Sequence, residues 1–284
     1  MRLAVLGSGS KGNASVLEAG GCRLLIDAGL SARQMCQRLA HLGVDPHSLD
    51  GILLSHEHSD HTRGLEVFLR KHRVPIFSTA LTREVLADRV GGHCEWRLFQ
   101  RGEEFSVGTI EVEAFAVPHD AVDPVGFVCR SHEGVRFGVA TDLGHVTTLV
   151  KESLRGVHGL FLEANYDQQL LEADTKRPWS IKQRIASRHG HLSNKQACEL
   201  AGALCEDGLE AVVLGHLSGD CKSPEVAARV LLDSPAAACR LTISSQDAPT
   251  EWVTATPERR PALAGAGSAQ AWLFPVEEAP GNAG

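Results

Sequence analysis

Aromatic side chains are scarce in this 284-residue chain, at 5%, so leucine, valine, isoleucine and alanine must fill most of its core. No stretch approaches the roughly 20 apolar residues of a membrane-spanning helix, so no membrane partner is expected. The opening run Leu3-Ala4-Val5-Leu6 gives way to glycine too soon for the apolar core of a secretion signal. None of the eight cysteines (Cys22, Cys36, Cys94, Cys129, Cys198, Cys205, Cys221 and Cys239) sits in a C-x-x-C pair. Without an export signal, they read as reduced, mostly buried thiols of a cytoplasmic protein. There is no internal repeat. A formal net charge of -7 argues against loose, charge-driven attachment to nucleic acid over the whole surface. Local basic patches and bound metal ions can still set the field where binding happens.

The apolar content of 43% suits a soluble globular protein. Arg2-Leu6 is a short apolar run, and Ala14-Ala19 and Cys22-Ile26 flank Gly20-Gly21, the turn chemistry of a two-residue hairpin. Met35, Leu39 and Leu42 recur on one face of a helix over Ser31-Leu42. Gly51-Leu54 is an apolar strand that runs straight into Ser55-His56. Further helices are predicted over Leu65-Arg70, Leu81-Arg89, Ser193-Cys205 and Pro224-Leu232. Further strands are predicted over Pro75-Ser78, Thr109-Ala116, Val125-Arg130, Val135-Ala140, Leu160-Glu163 and Ala211-Leu214. Strands that dominate and then mix with helices predict a layered α/β protein. From Thr254 the chain turns rich in Ala, Gly and Pro. This sets a domain over 1–253 and a poorly structured tail over 254–284, in which Trp272-Leu273-Phe274 could dock back.

Gly7, Gly9 and Gly12 spell G-x-G-x-x-G after a strand, with Asp27 further on, as in a dinucleotide-binding fingerprint. That fingerprint needs a helix after the third glycine. Only residues 13–19 separate Gly12 from Gly20-Gly21, too few for a βαβ crossover. The segment reads as a hairpin with a glycine-rich loop, which disfavours a redox or NAD enzyme.

The decisive segment is His56-Glu57-His58-Ser59-Asp60-His61, at the end of an apolar strand. Imidazole and carboxylate are the natural ligands of zinc and similar divalent ions. His56 and His58 can turn two rings toward one ion, while Asp60 and His61, further round the loop, can face a second. The alternative, a polar surface loop, fits so dense a histidine cluster poorly.

This H-x-H-x-D-H pattern resembles the signature of the metallo-β-lactamase superfamily, which implies a four-layer αββα sandwich. The resemblance further implies that a later His, an Asp and a final His complete a two-metal site. His119 in Val117-Pro118-His119-Asp120, Asp142 in Thr141-Asp142-Leu143-Gly144 and His216 in Gly215-His216-Leu217-Ser218 stand in that order, each after a strand. His56, His58 and His119 would hold one metal, Asp60, His61 and His216 the other, with Asp142 bridging. Asp27 matches an aspartate that braces the motif loop; a turn residue before Gly29 is the plainer reading.

Three stretches narrow the resemblance: Gly7-Ser8-Gly9-Ser10-Lys11-Gly12-Asn13, Leu162-Glu163-Ala164-Asn165-Tyr166-Asp167, and Arg188-His189-Gly190-His191-Leu192-Ser193-Asn194. Together they look like the YycJ/WalJ-type subfamily, over roughly Met1 to Leu232. This implies a cytoplasmic phosphodiesterase with 5′-to-3′ exonuclease action on DNA. Ser8, Lys11, Asn13, Asn165, Lys182, Ser193, Asn194 and Ser218 are the expected substrate contacts. The chain departs from the subfamily at Tyr166, where His is usual, and at Cys221 and Lys222, where two asparagines are usual.

One window favours DNA independently. Lys176, Arg177, Lys182, Arg184, Arg188 and Lys195 follow one another with no acidic residue between them, and Trp179 adds a ring able to stack on a base. A solvated helix face is the rival reading. Ser193-Asn194-Lys195-Gln196 fits a capping box, and His191 beside it could bind a phosphate or protonate a leaving oxygen; the rival is a packing role. The expected chemistry uses two divalent ions, Zn2+ or Mn2+, that activate a shared hydroxide, with Asp60 orienting it. The same fold also serves thioesterases and lactonases, and a non-catalytic metal-binding module is the further alternative.

Overall fold

The computed structural model describes residues 1–92, 94–216 and 235–257. Among them are two seven-stranded sheets. In chain order the first contains β1 (Arg2–Gly7), β2 (Ala14–Ala19), β3 (Cys22–Ile26), β4 (Gly51–Leu53), β5 (Ile76–Ser78) and β6 (Trp96–Leu98). The second contains β7 (Glu104–Val107), β8 (Ile110–Ala116), β9 (Val125–Ser131), β10 (Arg136–Ala140), β11 (Gly159–Glu163), β12 (Ala211–Gly215) and β13 (Arg240–Ile243). The last strand, β14 (Val253–Thr254), returns to the first sheet beside β1. Each sheet is otherwise ordered as in sequence, antiparallel in its first strands and parallel in its last.

Alternation along the strands explains the layers. In β1, Leu3 and Val5 face the core between the sheets, while Ala4 and Leu6 face the other way. That outer face packs on α1 (Ala32–His41), α3 (Leu65–Leu69) and α4 (Ala80–Val90) through Met35, Leu39, Phe68 and Leu86. In β11, Phe161 points between the sheets and Leu160 and Leu162 point outward, under α5 (Thr148–Ser153) and α8 (Asn194–Cys205). A side-chain period of two with both faces apolar requires a cover on each side. The result is the α/β, four-layer αββα sandwich predicted from the sequence.

Gly20 and Gly21 have φ of 57° and 82°, the two positive values that a tight hairpin requires. The Gly7–Asn13 loop joins antiparallel β1 and β2, with no helix after it. The glycine pattern is therefore a hairpin and not a nucleotide cradle.

The predicted strands and helices recur with ends shifted by a residue or two. The sequence reading missed α2 (Ser59–Thr62), α5, α6 (Gln168–Ala173), α7 (Trp179–Ile185), and β6, β7, β13 and β14. Each of these helices has fewer than two full turns, too few to display a period. Three of the strands lie at sheet edges and the fourth, β7, at the remaining edge, where partial exposure weakens alternation. β14 pairs Thr254 with Arg2, and Ala255 N–H donates to the Met1 carbonyl, so the pairing runs past residue 253. The predicted helix over Pro224-Leu232, Cys221, Lys222 and Trp272-Leu273-Phe274 lie outside the described residues. Among the described residues, no helix is long and apolar enough to cross a membrane.

Candidate metal centre

The carboxyl ends of the parallel strands deliver the chemistry, as open α/β sheets do. Asp27 follows β3, the His56 loop follows β4, Asp142 follows β10, Glu163 ends β11 and His216 follows β12. Asp27, Asp142 and His216 have φ of 59°, 54° and 53°. Non-glycine residues in that left-handed region cost about 1–3 kcal/mol each and cluster at sites of function.

Two donor groups meet there. His56, His58 and His119 form one, with all ligand atoms within 4.8 Å of one another. Asp60, His61 and His216 form a second, within the same limit. Asp142 joins them. Its Oδ2 lies 2.9 Å from His61 Nε2 and 2.9 Å from His216 Nδ1, and its Oδ1 lies 3.8 Å from His119 Nε2. His56, His61, His119, Asp142 and His216 are buried, while His58 and Asp60 are partly exposed. The structure brings together the seven residues that the sequence reading grouped.

The donor set fits divalent ions on its own chemistry. His56 Nε2 is buried with no hydrogen-bond partner, while Ser55 Oγ lies 3.0 Å from its Nδ1. An orphaned buried polar atom is costly, and here it belongs to an imidazole packed against three others, His58, His61 and His119. Burial, together with the neighbouring His61, pushes the His56 imidazole well below its ordinary range. His61 goes the opposite way. Burial disfavours its charge, but Asp142 and Asp27 outweigh that and hold it protonated well above the histidine range. Asp142 is likewise buried, yet His216 and His61 keep it ionised well below the carboxylate range. The carboxylates that hold a proton on His61 favour any cation at that point.

Braces surround the donors. Asp27 Oδ2 accepts from His61 Nδ1 at 2.8 Å, and its Oδ1 accepts the Ser55 N–H at 2.9 Å. His119 Nδ1 donates to the Gly190 carbonyl at 3.0 Å. Ser8 and Asn13, expected as substrate contacts, are 2% and 3% exposed and serve the protein itself. Ser8 Oγ accepts the His216 N–H at 2.7 Å and donates to Asn13 Oδ1 at 3.1 Å. Asn13 Nδ2 lies 3.1 Å from His61 Nε2 and 3.4 Å from Asp60 Oδ2. Asn165, also expected at the substrate, donates from Nδ2 to the His216 carbonyl at 2.8 Å.

Glu163 was not singled out in the sequence. It is fully buried at the end of β11. Its Oε2 accepts the N–H groups of Leu143 and Leu192 at 2.7 and 3.2 Å, and its Oε1 lies 2.6 Å from His191 Nδ1. Burial works against the His191 charge, but Glu163 prevails and pushes the imidazole up to about 9. A carboxylate closing an otherwise apolar buried strand was the available signal, because such a charge must find a partner.

The remaining expected contacts divide. Ser193 caps α8 in a full capping box with Gln196. Asn194 is buried with its Oδ1 unpartnered. Lys11 is exposed, and Ser218 lies outside the described residues. Lys182 Nζ donates to the Glu172 carbonyl at 2.9 Å. The basic run is free of acidic residues only along the chain. In space, Arg177 pairs with Asp174 at 2.7 Å, Arg184 with Asp120 at 2.6 Å and Lys195 with Glu199 at 3.9 Å. Trp179, at the start of α7, is 66% exposed.

Two sheets with helices on both outer faces, and a His/Asp site at the ends of their strands, match a known class. A family model of the beta-lactamase superfamily domain matches residues 22–217, and the chain belongs to that superfamily, with its metallo-β-lactamase fold. Within it, the chain is of the WalJ/YycJ type. It is 33% identical over 241 residues to the exodeoxyribonuclease WalJ of Streptococcus pneumoniae, covering 84% of this chain and 89% of that one. It is 33% identical over 229 residues to the exodeoxyribonuclease YycJ of Bacillus anthracis, covering 80% and 86%. The crystal structure of the metallo-beta-lactamase fold protein YhfI from Bacillus subtilis superposes with a TM-score of 0.69. That match has 15% identity over 88% of this chain and 99% of the other, a likeness of fold.

Proposed function

We propose that the chain is a dinuclear-metal phosphodiesterase that degrades DNA from the 5′ end. The observation that carries this reading is the meeting of two donor triads at one carboxylate, Asp142, beside the buried Glu163 and its half-buried partner His191. Exodeoxyribonuclease relatives that align along most of the chain support DNA as the substrate. His56, His58 and His119 would hold one divalent ion, zinc or manganese, and Asp60, His61 and His216 the other, with Asp142 serving both. When bound, such ions supply Lewis-acid activation of water and offset charge on phosphoryl oxygens.

The chain's own residues do the rest. Asp27 and Ser55 fix the tautomer and angle of His61 and His56. Asp60, partly exposed and anchored at its backbone by Asn13, orients the attacking group. His191 keeps a proton at neutral pH because Glu163 faces it, so it can donate to the leaving oxygen. The test is parallel turnover of a 5′-phosphorylated, end-labelled oligodeoxynucleotide and a glutathione thioester, with metals added back singly to the stripped protein. Release of nucleotides from the 5′ end is the expected result. Thioester hydrolysis without cleavage of DNA would overturn the reading.

A further inference from the structure

Among the basic residues between 175 and 198, Arg184 is paired directly beside a donor residue. Its Nε lies 2.6 Å from Asp120 Oδ2, and Asp120 Oδ1 lies 3.4 Å from His119 Nε2. Asp120 immediately follows His119. The backbone holds Arg184 at that rim. His191 donates its N–H to the Ile185 carbonyl at 2.9 Å, and Ser187 donates to the Arg184 carbonyl at 3.2 Å. A Cβ on Gly190 would stand 2.1 Å from the Arg184 carbonyl oxygen, so only glycine allows this approach. Arg184 and His191 are therefore held by one loop, and their side chains border the same site. The neighbouring cations look elsewhere: Lys182 to the Glu172 carbonyl, Arg188 to His145 and Lys195 to Glu199.

The Arg184 side chain is 63% exposed and Asp120 33%. An ion pair that open to water is weak and exchangeable. A phosphate offers a guanidinium more charge and a bidentate match. We propose that Arg184 is a specificity-determining phosphate clamp. It exchanges Asp120 for a phosphate adjoining the one under attack, and so favours a strand of phosphates over an isolated phosphodiester. This rests on the phosphodiesterase reading above and adds the residue that selects a polymer.

The test compares wild type, Arg184→Ala and Arg184→Lys on a 5′-phosphorylated oligodeoxynucleotide and on bis(4-nitrophenyl) phosphate, which has no second phosphate. Binding of the labelled oligonucleotide is followed separately by fluorescence anisotropy in chelator. The Ala variant should raise the oligonucleotide KM about tenfold, far more than it lowers kcat. It should flatten the salt dependence of log affinity by about one, the loss of a single phosphate contact. The ratio of oligonucleotide to small-diester kcat/KM should fall about tenfold. The Lys variant should regain the salt slope but only part of the KM, because an ammonium lacks the fork. Unchanged binding and salt slope in the Ala variant, or equal losses on both substrates, would overturn the clamp. If the wild type cleaves neither substrate, the phosphodiesterase reading fails, and the anisotropy comparison still decides whether Arg184 holds phosphate.

Discussion

The donor cluster and the wall beside it, α6 and α7, are built by opposite rules. The cluster stands on the ends of buried strands. His56, His61, Asp142, Glu163 and His216 are all at most 3% exposed, and hydrogen bonds hold their loops from several sides. The wall is made of two short helices that expose Leu170, Trp179 and Ile181, and its cations lie against acidic groups, Arg177 on the adjoining Asp174 and Arg184 on the distant Asp120. The difference separates tasks. On the proposed function, chemistry that needs fixed geometry would sit on the rigid scaffold, and recognition on exposed segments whose contacts can be exchanged. Substitutions in the cluster should therefore act on kcat and metal content, and substitutions in the wall on KM and salt dependence.

The largest effect should come from the shared carboxylate. Asp142→Ala should abolish turnover and lower bound metal, read by elemental analysis; a variant that keeps full metal and activity would break the contrast. Next come Glu163 and His191. His191→Ala should cut kcat by about 10²–10⁴. With wild type, activity should fall on the alkaline side near pH 9, as the His191 proton is lost. Glu163→Gln removes the carboxylate that holds that proton, so the alkaline fall should move to lower pH; a limb that stays in place would remove Glu163 from the role.

A smaller effect should attend the braces. Asp27→Asn and Asn13→Ala should weaken metal binding about 10–100-fold without removing a ligand, measurable by chelator competition. The smallest should be Lys182→Ala, whose ammonium is already engaged with the Glu172 carbonyl. Its oligonucleotide KM should stay within about twofold of wild type, like most surface changes. A loss as large as that of Arg184→Ala would return the whole basic run to substrate binding and erase the distinction between the two residues.

The same contrast governs what the sequence disclosed. The His56 to His61 motif was legible because three imidazoles and a carboxylate in six positions have few structural uses. His119, Asp142 and His216 became legible through the family resemblance, which asks for them in that order, each after a strand. Glu163 gave only the weaker signal of a carboxylate closing an apolar strand, because its partner His191 lies 28 positions away and no spacing links them. The basic run misled for the same physical reason. Asp120 stands 64 positions from Arg184, and a local window cannot register an ion pair closed by the fold. Ser8, Asn13 and Asn165 were expected at the substrate through the family resemblance, and a polar residue near a site is compatible with either role. Burial decides between the two, and burial is a property of the packed layers. The strands and helices that escaped notice are the short ones at edges, where tertiary contact rather than local pattern fixes the structure.

The most direct test of the dinuclear centre is metal stoichiometry. The stripped protein is titrated with Zn2+ or Mn2+, and bound ions are counted per chain for wild type, His58→Ala, His216→Ala and Asp142→Ala. Two ions in the wild type, one retained when either single-triad histidine is removed, and weakened binding of both without Asp142 are the predicted results. A single ion in the wild type, or two undiminished ions in the absence of Asp142, would contradict a centre built on a shared carboxylate.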